Sequence, residues 1–209
     1  MTLTWCGHSC FVYDTDEGTV VFDPYEPDYV PGLHFPTVAG DVILCSHQHN
    51  DHNYAEGVIN SRRMPGFKVE TIETYHDEQQ GAARGNNTIH IVDTFGYRLA
   101  HLGDLGHMLS PQQLSQLGHI DVLLIPVGGF YTIDAVTAKA LCDAVQPGII
   151  VPMHYRRGNM GFAEIAELED FLALFEHYTE IDGYSTELDS SLSGVVVFSR
   201  PYQGEEDED

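Results

Sequence analysis

Residues 47–52 read His47-Gln48-His49-Asn50-Asp51-His52, so imidazoles and a carboxylate lie within one hexapeptide. Imidazole nitrogen and carboxylate oxygen are the donors that hold Zn(II), Mn(II) or Fe(II). His47, His49 and Asp51 occupy alternate positions, so an extended backbone turns them to one side. Asp51 and His52 are neighbours and must diverge, which lets one short loop serve two metal positions. The motif follows the apolar run Val42-Ile43-Leu44-Cys45-Ser46, which reads as a buried strand. The donors therefore sit where a strand runs out into a loop.

One loop cannot satisfy two metals. Further donors appear, each just after a strand-like run: His76 after Val69–Tyr75, Asp104 after Arg98–Leu102, and His154 after Ile149–Met153. Strand ends along one edge of a sheet are where an α/β fold gathers side chains from distant sequence. Any one of these residues alone would read as a strand-end side chain bonded to nearby backbone. Together they complete a site.

The elements that must position them alternate strand-like and helical runs. Thr2–Tyr13 and Thr19–Asp23 read as a strand pair with a turn around Asp16-Glu17-Gly18. Val42–Ser46 and Lys68–Tyr75 are further strands, and Thr88–Val92 with Arg98–Leu102 form a hairpin around Phe95-Gly96. Asn53–Arg63 begins as a helix and stops before Pro65-Gly66. Ser110-Pro111 starts a helix that ends near Gly118. Val122–Val127 is a strand buried on both faces, and Ile149–Met153 and Gly194–Ser199 are strands. Thr132–Val145 is a helix, and Ala163–Tyr178 is an amphipathic one with Ile165, Leu168, Leu172 and Phe175 as its stripe. Strands and helices in both halves suggest two packed sheets with helices outside.

A chain of 209 residues can bury a substantial core without disulfides. Its four cysteines, Cys6, Cys10, Cys45 and Cys142, show no disulfide framework and read as reduced thiols of a cytoplasmic protein. Cys6, His8 and Cys10 lack the second Cys pair of a small zinc site. No signal peptide and no membrane span is expected. Acidic residues number 32 against 9 basic ones, for a net charge of -23. Such a chain repels phosphate backbones, which argues against a nucleic acid partner. The excess fits either salt adaptation or an ordinary acidic protein. Residues 203–209 are expected to be a disordered acidic tail on a single domain spanning 1–202.

The order His47-x-His49-x-Asp51-His52, then His76, Asp104 and His154, resembles the metallo-β-lactamase superfamily. Asp23, ending Val20-Val21-Phe22, matches the family's early strand-terminal Asp, and the likeness runs over nearly the whole chain. Gly7-His8-Ser9-Cys10-Phe11, Arg84-Gly85-Asn86-Asn87-Thr88, Gly103-Asp104 and Pro152-Met153-His154-Tyr155 are similar to a compact branch of metal-dependent hydrolases related to the ascorbate-6-phosphate lactonases. The resemblance implies an αββα sandwich of two mixed β-sheets flanked by helices, with the site on one edge. It implies two divalent metal ions, zinc first, with manganese or iron as alternatives. His47, His49 and His76 would bind one, Asp51, His52 and His154 the other, and Asp104 would bridge them. Two such cations lower the pKa of a shared water, and Asp51 would orient the resulting hydroxide. The substrate would be a small, anionic ester, lactone or phosphoester.

Secondary candidates carry roles around this set. His107 is a candidate proton donor to a leaving group. His8, Arg84 and Tyr155 are candidate substrate contacts, Arg84 through bidentate hydrogen bonds to an anion. Asp23 and His101 are expected to hold the ligands in place. Gly128–Thr132 is a candidate pocket mouth, and His34, His90, His119 and His177 have no assigned role. Competing readings are a single-iron or diiron redox enzyme and a non-catalytic metal-binding protein. The diiron branch typically carries a Glu where His49 stands, together with a flavin domain. Association into a homo-oligomer is left open.

Overall fold

The computed structural model describes residues 1–204. Five strands open the chain: β1 (Thr2–Gly7), β2 (Cys10–Thr15), β3 (Gly18–Phe22), β4 (Ala39–Gly40) and β5 (Val42–Leu44). After a 3₁₀ turn at Ala55–Gly57 come β6 (Ile59–Asn60), β7 (Lys68–Tyr75), β8 (Asn86–Thr94) and β9 (Tyr97–His101). The second half runs α1 (Pro111–Leu117), β10 (Val122–Pro126), α2 (Ala135–Val145), β11 (Ile149–Met153) and α3 (Leu168–Leu172). Strands β12 (Tyr178–Ile181), β13 (Ser185–Glu187) and β14 (Gly194–Phe198) complete it.

Two mixed sheets result, with few helices. The smaller has the order β13-β1-β2-β3-β5 and the larger β12-β14-β11-β10-β9-β8-β7. In the small sheet β1, β2 and β3 run antiparallel, whereas β5 joins β3 in parallel. In the large one β12, β14, β11, β10 and β9 are parallel, and β8 and β7 turn back in succession. Strands β10 and β11 are buried at every position, as a central parallel strand covered on both faces must be.

The main core lies between the sheets. Leu3, Trp5, Phe11, Val20 and Phe22 face Ile89, Ile91, Leu99 and Leu123 in one cluster. Alternation sends Val21 to the other face of the small sheet, into a second cluster with Tyr25, Val30, Leu33, Phe35 and Val38. The segment after β3, rather than a helix, thus supplies the apolar cover there. Helix α1 begins with a reciprocal cap between Ser110 and Gln113 and has Pro at its start. Helix α2 is capped by Asp134, whose side chain accepts from Thr137 N–H, so Thr132 lies outside it.

Three expected elements differ. Thr2–Tyr13 is a hairpin, folded at Gly7-His8-Ser9, where φ is 105° at Gly7 and 51° at His8. Asn53–Arg63 forms no α-helix, because its backbone donors are engaged across the fold: Tyr54 N–H with Pro24 O, Ile59 N–H with Val38 O, Ser61 N–H with Gly40 O. Ala163–Tyr178 is helical only at α3. Ala166 N–H reaches Gly128 O at 2.7 Å, and Leu168 N–H reaches Arg156 O at 3.2 Å, which fixes the segment's first part as extended chain. From Glu205 onward, the expected tail lies outside the described residues. Gln203 is held, its Oε1 accepting from His34 N–H at 2.6 Å.

Candidate metal centre

The candidate donors follow strand C-termini. His76 comes directly after β7 and His154 directly after β11, Asp104 follows β9, and the hexapeptide follows β5. His8 comes directly after β1, and Asp23 directly after β3. The chain bends sharply at several of them, with φ of 51° at His8, 43° at Asp23 and 53° at His154. Left-handed conformations are uncommon outside glycine and concentrate at functional sites. Gly103, at φ 56°, lets the chain before Asp104 pass close to its neighbours. A Cβ there would meet Asn87 Oδ1 at 2.3 Å and Ser46 Cβ at 2.4 Å.

The donors form overlapping groups. His47, His49 and His76 each offer an atom within 4.8 Å of the others, and so do His47, His52 and Asp104. His8, Asp51, His52 and His154 form another such group. Asp104 links them: its Oδ2 lies 2.9 Å from His76 Nε2 and 3.2 Å from His154 Nε2, and its Oδ1 lies 3.2 Å from His52 Nε2. Nε2 of His47, His52 and His154, both nitrogens of His8, and Oδ1 of Asp104 are buried without a hydrogen-bond partner among the described residues. Buried polar atoms are seldom left so. Clustered imidazole and carboxylate atoms of this kind fit divalent cations.

Neighbouring residues fix the rings. Asp23 Oδ2 accepts from His52 Nδ1 at 2.7 Å and from Ser46 Oγ at 2.6 Å, and Asp23 Oδ1 accepts from Ser46 N–H at 2.6 Å. Ser46 Oγ, its proton engaged by Asp23, stands 2.9 Å from His47 Nδ1. That arrangement puts the Nδ1 protons outward and aims both Nε2 atoms into the group. Asn87 accepts from Asp104 N–H at 2.9 Å while donating to Thr74 Oγ1 and Leu102 O. The supporting parts of Ser46, Thr74 and Asn87 were missed by sequence reasoning. The available signal was polar residues beside donor-bearing strand ends.

The charges of the group shape one another. Burial, aided by His154, pushes the His8 imidazole down to about 4. Burial and then His52 push His47 down to about 3. For His52 burial acts downward too, but Asp104, Asp51 and Asp23 together hold it well above the ordinary imidazole value. Burial would raise Asp104, yet His154 and His52 hold its carboxyl well below the usual range. Burial is likewise outweighed at Asp51, chiefly by His52 and then His8.

A cleft of about 380 Å³ opens over the group, lined by His49, Asp51, His76, Asp104, Arg84 and the rings of Tyr29, Tyr131 and Phe162. Tyr131, from the expected pocket mouth, therefore reaches it. The Arg84 guanidinium carbon lies 5.6 Å from the Tyr131 ring centre, and no carboxylate pairs with it among the described residues.

Other expected residues do not join this site. His107 accepts from Tyr75 N–H at 3.2 Å, contacts Met108 O at 2.9 Å, and lines a separate depression. Both its nitrogens are engaged by backbone, so the proton-donor role is withdrawn. Tyr155 is buried in the main core against Trp5, with ring centres 5.8 Å apart, and does not line the cleft. Its substrate role is withdrawn as well. His101 stacks on Phe22, donates to Ser9 O at 2.8 Å and accepts from Gly103 N–H at 3.1 Å, so it holds the backbone just before Asp104.

The family described as "Beta-lactamase superfamily domain" matches residues 2–154. The chain belongs to the metallo-β-lactamase superfamily. A UPF0173 protein of Pyrococcus abyssi is 33% identical over 190 residues, covering 78% of this chain and 88% of that protein. A UPF0173 metal-dependent hydrolase of Thermoplasma acidophilum is 27% identical over 188 residues, covering 74% and 83%. A crystal structure from Thermotoga maritima, described as a candidate Zn-dependent hydrolase of the superfamily, is similar at 36% identity with a TM-score of 0.75. That likeness covers 94% of this chain and 97% of the other.

Proposed function

We propose that the chain is a metal-dependent hydrolase in which two divalent cations activate a hydroxide against a small, anionic ester, lactone or phosphoester. The observation that carries this reading is the convergence of sequence-distant donors about one carboxylate, Asp104. His47, His49 and His76 would hold one cation, Asp51, His52 and His154 the other, and Asp104 both. Zinc suits this donor set, and manganese or iron is compatible with it. Cations bound there supply a lowered pKa for water and charge stabilisation for a developing oxyanion.

The residues themselves do the rest. Asp51 belongs to a donor group and also lines the cleft, so its carboxylate is placed to orient an attacking water. Arg84, whose guanidinium no carboxylate pairs among the described residues, is offered to a substrate anion. Tyr29, Tyr131 and Phe162 wall the cleft and limit its size. The descriptions of the Thermoplasma and Thermotoga relatives support a metal-dependent hydrolase. The net charge of -23 favours a small-molecule partner over a nucleic acid. No helix among the described residues is long and apolar enough to cross a membrane. Free Cys6, Cys10, Cys45 and Cys142 suit a reducing compartment, here the cytoplasm.

The test is elemental analysis of untagged protein purified without added metal, followed by esterase, lactonase and phosphodiesterase assays. About two zinc or manganese ions per chain, with hydrolysis lost in Asp51→Ala, are expected. Hydrolysis indifferent to that substitution, or no cation bound even after loading, overturns the reading. A single iron with oxygen uptake would replace it with redox chemistry.

A further inference from the structure

The turn between β1 and β2 carries an imidazole that the donor set above does not use. The His8 side chain is 0% exposed, and neither ring nitrogen has a hydrogen-bond partner among the described residues. We propose that His8 is an additional protein donor to the cation position formed by Asp51, His52 and His154. The inference rests on the two-cation reading and makes this position the richer of the two in protein donors.

Distance separates ligation from hydrogen bonding. His8 Nε2 lies 3.4 Å from Asp51 Oδ2, and His52 Nε2 lies 3.5 Å from the same oxygen. Nitrogen–oxygen hydrogen bonds centre on about 2.9–3.0 Å. Adjacent donors about 2.1 Å from one five-coordinate cation stand about 3.0–3.6 Å apart. The two spacings therefore match edges of a coordination polyhedron. Donor atoms of His8, Asp51, His52 and His154 all lie within 4.8 Å of one another.

The ring's place is built into the fold. Its centre is 4.1 Å from that of His154 and 5.4 Å from that of His52. The His8 carbonyl accepts from Trp5 Nε1 at 3.2 Å and from His154 N–H at 3.4 Å, which ties the turn to the strand end that delivers His154. Phe162, a wall of the cleft, packs edge-on against the ring at 5.6 Å. His8 itself is absent from the cleft lining, so a substrate lying there would not reach it. That position argues against the substrate contact expected from sequence.

The test compares the full-length chain with His8→Asn and His8→Gly. Both replacements tolerate the left-handed backbone at this position, so the turn persists without the imidazole. Metal-free proteins are titrated with Co(II) against a chelator, reading stoichiometry, affinity and the visible absorption of the bound ion. Far-UV circular dichroism and melting of the metal-free proteins check the fold. The wild type should take up two ions per chain. In both variants one ion should bind as before, and the other about tenfold or more weakly with an altered absorption band. Two ions bound with wild-type affinity and absorption in either folded variant would overturn the inference. So would a defect confined to KM for a substrate. Fewer than two ions on the wild type would instead sink the two-cation reading, and this inference with it.

Discussion

The Asp104 carboxylate stands among imidazoles, with contacts of 2.9 Å to His76, 3.2 Å to His154, 3.2 Å to His52 and 3.9 Å to His47. Asp104→Asn keeps the shape and removes the charge. Loss of both bound cations and a fall in hydrolysis of about 100-fold or more are expected, read by elemental analysis and turnover. His52 and His76 set a pH dependence. Against burial, carboxylates hold both above the ordinary imidazole value, His52 through Asp104, Asp51 and Asp23 and His76 through Asp104, so each favours a proton that a cation must displace. Apparent cation affinity should rise with pH until those raised values are passed, then level off. His8 and His47, lowered to about 4 and about 3, are already neutral at pH 7 and add no dependence there. Chelator competition from pH 6 to 8 measures this, and a flat profile would contradict it. Asp23→Asn removes the partner of His52 Nδ1 and should weaken cation binding about 10–100-fold.

Among the elements, what was legible in sequence depended on where the deciding interaction lay. Strands with continuous apolar runs, whose burial does not depend on a particular partner, were readable, as in β10 and in β11, which leads into His154. The capped start of α1 was readable too, because Ser110, Pro111 and Gln113 lie within one turn. Segments 53–63 and 163–178 were misread because distant carbonyls engage their backbone donors, which no local pattern reveals. Within the site, His47, His49, Asp51 and His52 announce themselves by spacing. Asn87 and Ser46 act through single hydrogen bonds to a donor or its neighbour and carry no motif of their own. The loop bearing Arg84 is a similar case. Asp77 accepts from the N–H groups of Gln79, Gly81, Ala83 and Arg84 at 2.7–3.0 Å. Asp77→Ala should release this loop. Faster amide exchange across 78–85 and a KM raised about tenfold with little change in kcat are expected. A kcat loss of the same size would place the loop's role in the chemical step instead.

At the scale of the whole molecule, two fields oppose each other. A net charge of -23 repels an anionic substrate at long range. The cleft, with the Arg84 guanidinium in its wall and the proposed cations beneath it, would attract the same substrate at short range. Salt acts unequally on the two. The screening length falls from about 30 Å at 0.01 M to about 8 Å at 0.15 M ionic strength. That range removes most of the repulsion from charges spread over the surface. It weakens much less the contacts made within a few ångströms in a partly enclosed cleft. For an anionic substrate, kcat/KM should therefore rise between these two ionic strengths. A neutral analogue of the same reaction should show no such rise, which separates the field from any effect of salt on folding. Arg84→Gln should lower kcat/KM for the anion at both salt concentrations while leaving its rise with salt in place, because the surface charge is nearly unchanged. A fall with salt in the wild type would mean that local attraction dominates even at low ionic strength. The acidic surface would then have little bearing on substrate capture.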